Sequence, residues 1–216
     1  IEWARDMWDS FDVFLTYQEE CASTLWKDAE ADAMEEETRS LMKSIKSTKK
    51  DIKWCDAYKQ GEAQAKAQLR TWPLISALHH PSMRQRHWEA LMEKTGRNFT
   101  PPNEDPNCEL GEVLALGLHE YEQDVEEICD QSQKEEKIEA NLRALESNWK
   151  TIEFEQTDHV KKGQQNDEEG DGIKLLKMIQ EDYEQLENDQ LLVQAMMGSR
   201  FLRTFERAVN EWNSSL

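Results

Sequence analysis

The sequence predicts an all-α protein, an elongated bundle of long antiparallel helices with at most one small β-hairpin near residues 151–179. Three observations carry that expectation. Only five Pro and eight Gly occur in 216 residues, so turns are scarce and most of the backbone can run as helix. Apolar residues make up 38% and charged residues 33%, a mix suited to helices with one packed stripe and a broad wet face. Apolar side chains recur at steps of three and four residues instead of alternating.

Residues 2–28 place Trp3, Met7, Phe11, Phe14, Cys21 and Leu25 on one stripe, with acids and glutamines mostly opposite: an amphipathic helix with an aromatic face. Met34, Thr38, Leu41, Ile45, Thr48 and Ile52 form a second seam, spaced for packing against one or two other helices. Asp32 is expected to cap it, with Glu35 three residues on as capping-box partner. A third helix is predicted over 54–72, ending at Trp72-Pro73 because a residue before proline avoids the helical region. A short piece, 74–78, then leads to His79-His80-Pro81. Ser82 is placed to cap a short helix over 83–94, closed by Gly96. Pro101, Pro102 and Pro106 make 97–108 the clearest loop.

Leu114, Leu118, Tyr121, Val125, Ile128 and Ser132 then keep the helical rhythm, which resumes at Ile138, Leu142, Leu145 and Trp149 after a slip near Glu135. One helix of roughly 35 residues would span about 50 Å, the length of a rod. Residues 157–172, including Asn166-Asp167-Glu168-Glu169-Gly170, read as a mobile polar loop. On either side, 151–155 and 173–179 alternate weakly, which allows a hairpin, although Lys174-Leu175-Leu176-Lys177-Met178 reads equally well as helix. A last long helix is expected over 184–212 with Gln194, Gly198, Phe201, Phe205, Ala208 and Trp212 on its seam. No repeat of fixed period is present. The first residues already lie in a helical pattern with no cap before them, as expected of a segment of a longer polypeptide.

Charge narrows the function classes. With 26 basic and 45 acidic side chains the formal charge is −19, which phosphate backbones and anionic lipid surfaces would repel, so neither nucleic acid nor membrane is expected as a partner. The charge serves solubility or, more pointedly, an acidic face that docks on a basic partner. Cys21, Cys55, Cys108 and Cys129 are far apart, with no CxxC pair, and are expected as reduced, buried thiols of a cytosolic protein. No apolar run is long enough to span a bilayer, and the N-terminus lacks a signal-peptide pattern.

Catalytic patterns are missing. No Gly is followed by Lys, so no phosphate-cradling loop of the usual kind can be built. His79, His80 and His87 lack a companion cluster of spaced carboxylates or thiols, and no metal or cofactor is expected. A di-metal helical bundle would need Glu-x-x-His pairs on facing helices, and Glu89 and His119 have no such companions. Nothing in the sequence places a Ser or Cys beside a His and an acid. The eight Trp are expected as core anchors, not as a ligand box.

Certain stretches are more specific. Met83-Arg84-Gln85-Arg86-His87-Trp88-Glu89-Ala90-Leu91-Met92, with Pro73-Leu74-Ile75 before it and Thr95-Gly96 after, resembles a segment of dynein heavy chains. Leu114 to Tyr121 (through His119), Val125-Glu126-Glu127-Ile128, Gln133-Lys134-Glu135 and the closing Trp149 are similar to the run that follows in that family. So are Leu186-Glu187-Asn188-Asp189-Gln190, Met196-Met197-Gly198-Ser199-Arg200 and Val209-Asn210-Glu211-Trp212. The order and spacing match over about residues 40–216, and the first helix matches loosely. Departures are Asn188-Asp189 where Asp-Asn is commoner, and an unusually acidic, Gly-rich 163–172. The His119-Glu120-Tyr121 and Lys134-Glu135 runs lean toward axonemal members.

The resemblance implies a non-catalytic mechanical role: residues 1–72 as distal neck and tail helices, 73–216 as the N-terminal part of the linker. That linker transmits the power stroke of microtubule-based ciliary motility, and the ATPase ring lies elsewhere in the parent chain. It implies as partners the rest of the heavy chain with its ring, and other dynein subunits or neighbouring heavy chains, in the cytoplasm, cytoskeleton and ciliary or flagellar axoneme. Arg84, Arg86, His87, Trp88, Leu91, His119, Tyr121, Trp149, Leu186, Asn188, Gln190, Ser199 and Trp212 are its motif residues, expected to be structural. Trp88 and Leu91 are expected to fix the short helix in the core, with His87, Arg84 and Arg86 pairing with acids. A spectrin-like or coiled-coil scaffold mediating protein assembly is the competing reading from periodicity alone.

Overall fold

The computed structural model describes residues 2–47, 53–158 and 174–216. Thr48, Ile52, most of the polar 157–172 stretch and the side chain of Trp3 lie outside the described residues. The elements are α1 (Glu2–Ser23), α2 (Ala31–Ser47), α3 (Asp56–Leu78), α4 (Gln85–Thr95), α5 (Leu110–Leu114), α6 (Glu122–Thr151), β1 (Glu155–Asp158), β2 (Lys174–Lys177), α7 (Gln180–Met197) and α8 (Glu206–Ser215). Mainly helical architecture with one small antiparallel hairpin is the class the sequence predicts. The chain divides into two compact units, Ile1–Gln133 and Lys134–Leu216, with α6 contributing to both.

In the first unit, α1 buries Met7, Phe11, Phe14 and Cys21, the predicted stripe. It stops at Ser23, before Leu25, which instead forms an antiparallel bridge with Glu109. Trp26 donates its N–H to the Cys108 carbonyl at 2.8 Å and Leu110 to that of Thr24 at 2.8 Å, and this pairing takes the backbone out of the helix. Helix α2 starts at Ala31, so Asp32 lies inside the first turn and is not its cap; Glu35 pairs with Arg39. Thr38, Met42 and Ile45 are its buried seam.

Helix α3 runs straight past the predicted stop, with Pro73 inside it. Proline in a helix interior forfeits one backbone bond and costs about 3 kcal/mol. Here Trp72, Leu74, Ile75 and Leu78 are all buried within the same two turns. At about 1.5–3 kcal/mol per buried large side chain, their burial outweighs that cost. Trp72 also donates its indole N–H to Thr38 Oγ1 at 2.8 Å, tying α3 to α2. Where α3 crosses α1, Gly61 leaves room for the Phe11 ring: a Cβ there would sit 2.2 Å from it, and the ring would have to shift.

Gly96 closes α4 in the left-handed conformation (φ 65°), as expected. The predicted 35-residue rod is shorter at its start: α5 ends at Leu114, Gly117 turns left-handed (φ 70°), and α6 begins only at Glu122. Val125, Ile128 and Ser132 are buried on α6 in this unit. The core gathers Trp72, Trp88, Leu91, Leu110, Leu118 and Val125 in one cluster, and Met7, Phe11, Phe14, Ile45 and Tyr58 in another.

In the second unit, Ile138 and Leu145 of α6 pack with Val193, Met196 and Val209, and Leu142, Phe201, Phe205 and Trp212 are half-buried around them. Buried Glu135 marks the slip in the seam. The predicted single helix over 184–212 is two helices, α7 and α8, separated by residues 198–205 with a short 3-10 turn at Leu202–Thr204. The break moves the seam: Gln194 and Gly198 are exposed, and Val193 and Met196 face inward instead. Strands β1 and β2 pair Glu155 with Lys177 and Gln156 with Leu176.

Candidate functional site

The family-motif residues fall in two places, one in each unit. The first surrounds α4. Its N-terminus is capped by backbone-to-ring bonding: His87 Nδ1 accepts the Arg84 N–H at 3.0 Å, which fixes Nδ1 as the acceptor and leaves the neutral ring's proton on Nε2. Arg84 Nη1 donates to the Pro81 carbonyl at 2.6 Å. Arg86 is half-buried. His87, Trp88 and Leu91 are 2% exposed or less and face the core, as the 3.6-residue period requires.

Trp88 is the centre of an aromatic stack. Its ring meets Trp26 edge-on at 6.0 Å and Phe99 edge-on at 6.1 Å, and Trp26 lies flat on His79 at 3.9 Å. The two edge-on contacts are among the favourable geometries for aromatic quadrupoles. Burial lowers the His79 pKa, so a neutral imidazole faces the indole. Neither His79 Nε2 nor Trp88 Nε1 finds a hydrogen-bond partner among the described residues.

Ser82 does not cap α4; Arg84 takes that position. It is instead buried in a polar chain that the sequence did not reveal. Its hydroxyl lies 2.8 Å from His80 Nδ1 and 2.8 Å from Ser132 Oγ, and Ser132 donates to the Cys129 carbonyl at 2.8 Å. Ser82 N–H also donates to His80 Nδ1 at 3.2 Å. A Ser–His pair is therefore present after all. At 1% exposure, with its oxygen engaged on both sides, Ser82 is a tie between the α3–α4 corner and α6, not an accessible nucleophile. The local signal was His-Pro-Ser, a side-chain-to-backbone turn; its partner fifty residues away had none.

Arg70 of α3 reaches the start of α6, donating through Nε (3.0 Å) and Nη2 (2.5 Å) to Glu122 Oε2, and through Nη2 to the His119 carbonyl at 3.0 Å. His119 thus contributes its backbone; Tyr121 packs half-buried on the core. Of the cysteines, Cys21, Cys108 and Cys129 are buried, whereas Cys55 is half-buried just ahead of α3. Burial pushes the Cys129 thiol up to about 11. Burial raises Cys21 and Cys108 as well, the latter helped by Glu112.

The second group lies in the other unit. Trp149 Nε1 donates to Asp189 Oδ2 at 2.9 Å, where Asp189 is 4% exposed. Gln190 Nε2 donates to the Leu216 carbonyl at 2.8 Å. Ser199 Oγ accepts the Phe201 N–H at 3.2 Å, building the turn between α7 and α8. Leu186 and Trp212 are half-buried, and Asn188 is exposed. The Asn188-Asp189 order therefore puts the carboxylate, not the amide, against the indole.

Among the described residues no group of three or more His, Cys, Asp or Glu is arranged to hold a metal ion, and no helix is long and apolar enough to cross a membrane. Fold and site together define a helical segment in which the conspicuous side chains act as wedges, caps and ties between helices.

Residues 1–216 match the family described as dynein heavy chain, N-terminal region 2. The chain is 35% identical over 212 residues to the dynein alpha chain of the flagellar outer arm of Chlamydomonas reinhardtii, covering 98% of this chain and 4% of that protein. It is 32% identical over 217 residues to the flagellar outer arm beta chain of the same organism, and 31% over 212 residues to dynein axonemal heavy chain 17 of Homo sapiens, with the same two coverages. The chain belongs to the dynein heavy chain family. It spans about 4% of the length of these relatives.

Proposed function

We propose that this chain is a non-catalytic mechanical segment of an axonemal dynein heavy chain, connecting tail to ATPase ring and passing on the power stroke that moves cilia and flagella. In this reading residues 1–72 serve the neck and 73–216 the start of the linker, a division by role that α3 crosses. Its partners are the rest of the heavy chain and neighbouring dynein subunits, and its place is the axoneme. One observation carries the reading: 98% of the chain aligns with flagellar and axonemal heavy chains while filling about 4% of them. The geometry supports it, because side chains in and beside the motif stretches make helix-to-helix ties such as Trp149–Asp189 and Ser82–Ser132, and these resist deformation.

A proline placed at exposed Ala140 in α6 of the full heavy chain tests the role. ATP turnover by the motor is expected to persist while microtubule gliding slows severely. Unchanged gliding, or nucleotide turnover by the 216-residue chain itself, would overturn the proposal.

A further inference from the structure

On the first unit, α1 and α3 enclose a groove of about 170 Å³, floored by Phe11 and walled by Trp8 and Leu15 on one side and Ala57, Gln60 and Gln64 on the other. Trp8 is 57% exposed and Leu15 44%. Both are large apolar side chains on one face of α1, one heptad apart. The opposite wall from Ala57 to Gln64 has the same length, about 10 Å at 1.5 Å per residue. The volume is close to the roughly 150 Å³ apolar cavity that holds a benzene ring, so it has room for one large side chain such as Leu or Phe.

The charges around the groove specify what fits. In a chain that is 33% charged, the α3 residues lining it are Ala, Gln and Gly only. On α1 both groove-wall residues are followed four positions later by an exposed acid, Asp12 after Trp8 and Glu19 after Leu15. We infer that this groove docks an amphipathic helix that inserts one large apolar side chain between Trp8 and Leu15, lays a basic flank along α1 and an uncharged flank along α3. Helix-in-groove recognition reads such heptad-spaced contacts. A second copy of the chain is the wrong occupant: it carries the same −19 charge and the same acidic crest. This inference does not depend on the mechanical reading above.

The test uses the 216-residue chain and a labelled three-heptad peptide with Leu at its core positions and Lys on its flanks, read by fluorescence anisotropy. Leu15→Ser is expected to weaken binding about tenfold or more, and Trp8→Ser similarly. Val13→Ser, an equally exposed apolar position on another face of α1, should change it less than about twofold. Both wall variants sit at exposed positions, and unchanged helical circular dichroism confirms that they fold. A Glu-flanked version of the peptide should bind at least about tenfold more weakly. No binding of the Lys peptide, or equal losses from Val13→Ser and Leu15→Ser, would overturn the inference. So would a dimer in sedimentation that Leu15→Ser dissociates.

Discussion

In the first unit indoles, an imidazole and thiols are buried among the aliphatic side chains, with Trp72, Trp88, His87, Cys108 and Cys129 all nearly inaccessible to water. In the second, Ile138, Leu145, Val193, Met196 and Val209 are the buried apolar residues among those described, and the large rings Phe201, Phe205 and Trp212 stay half-exposed around them. A smaller chain segment buries a smaller fraction of its surface, so the second unit depends more on individual polar ties. The difference teaches where each unit is vulnerable: the first to loss of volume, the second to loss of a hydrogen bond.

The largest expected effect tests the first half of that contrast. Trp88→Ala should cost about 3–5 kcal/mol in urea unfolding, the range for emptying a large aromatic site. Trp88→Phe should cost far less, because the indole N–H has no partner to lose. A small penalty for Trp88→Ala would mean that the aromatic stack is not the core of the unit.

Alkaline pH should separate the units next. The Cys129 thiol titrates near 11 when folded against an ordinary 9.0. Below pH 9 it is protonated in both states and contributes no pH dependence. Between 9 and 11 the unfolded chain releases a proton that the folded one retains, so stability falls as pH rises. The distance between those two values bounds the loss at about 2–3 kcal/mol. The second unit contains no cysteine. Hydrogen exchange should therefore accelerate above pH 9 more in the first unit than base catalysis explains, and Cys129→Ala should reduce that excess.

In the second unit, Asp189→Ala leaves the Trp149 indole N–H without its acceptor and should cost about 1–3 kcal/mol. Asp189→Asn retains a carbonyl acceptor and should recover most of it, as followed by Trp149 fluorescence during unfolding. Equal penalties for the two variants would show that charge, not the hydrogen bond, matters there. The smallest effect is expected for Arg70→Ala, whose pair with Glu122 is half-exposed; about 0.2–1 kcal/mol is the usual worth of such a contact.

Much of this was legible in the residues, for identifiable reasons. The stripe Met7, Phe11, Phe14 and Cys21, the Thr38 and Ile45 seam and the Gly96 stop are local signals, and each appears where the period puts it. Helix ends were less legible because tertiary packing decides them. Pro73 says stop, yet the buried neighbours Trp72 and Leu74 carry α3 through it. Gly117 and the 198–205 turn break seams whose apolar rhythm continues across them. In the candidate site, the inward face of α4 could be read from spacing, but the His80–Ser82–Ser132 chain and the Trp149–Asp189 bond could not. They join positions forty or fifty residues apart, and a linear pattern carries no trace of such meetings.

Position 61 shows what one missing methyl group implies. Its residue is only partly buried, so by accessibility it should accept almost any substitution. The Phe11 ring occupies the place where a side chain would begin, and that ring is itself 5% exposed and packed among the core residues of its cluster. A mutational scan would therefore score this partly exposed site as intolerant as the interior, with alanine already deleterious, and related chains that replace Gly61 should carry a smaller side chain opposite it.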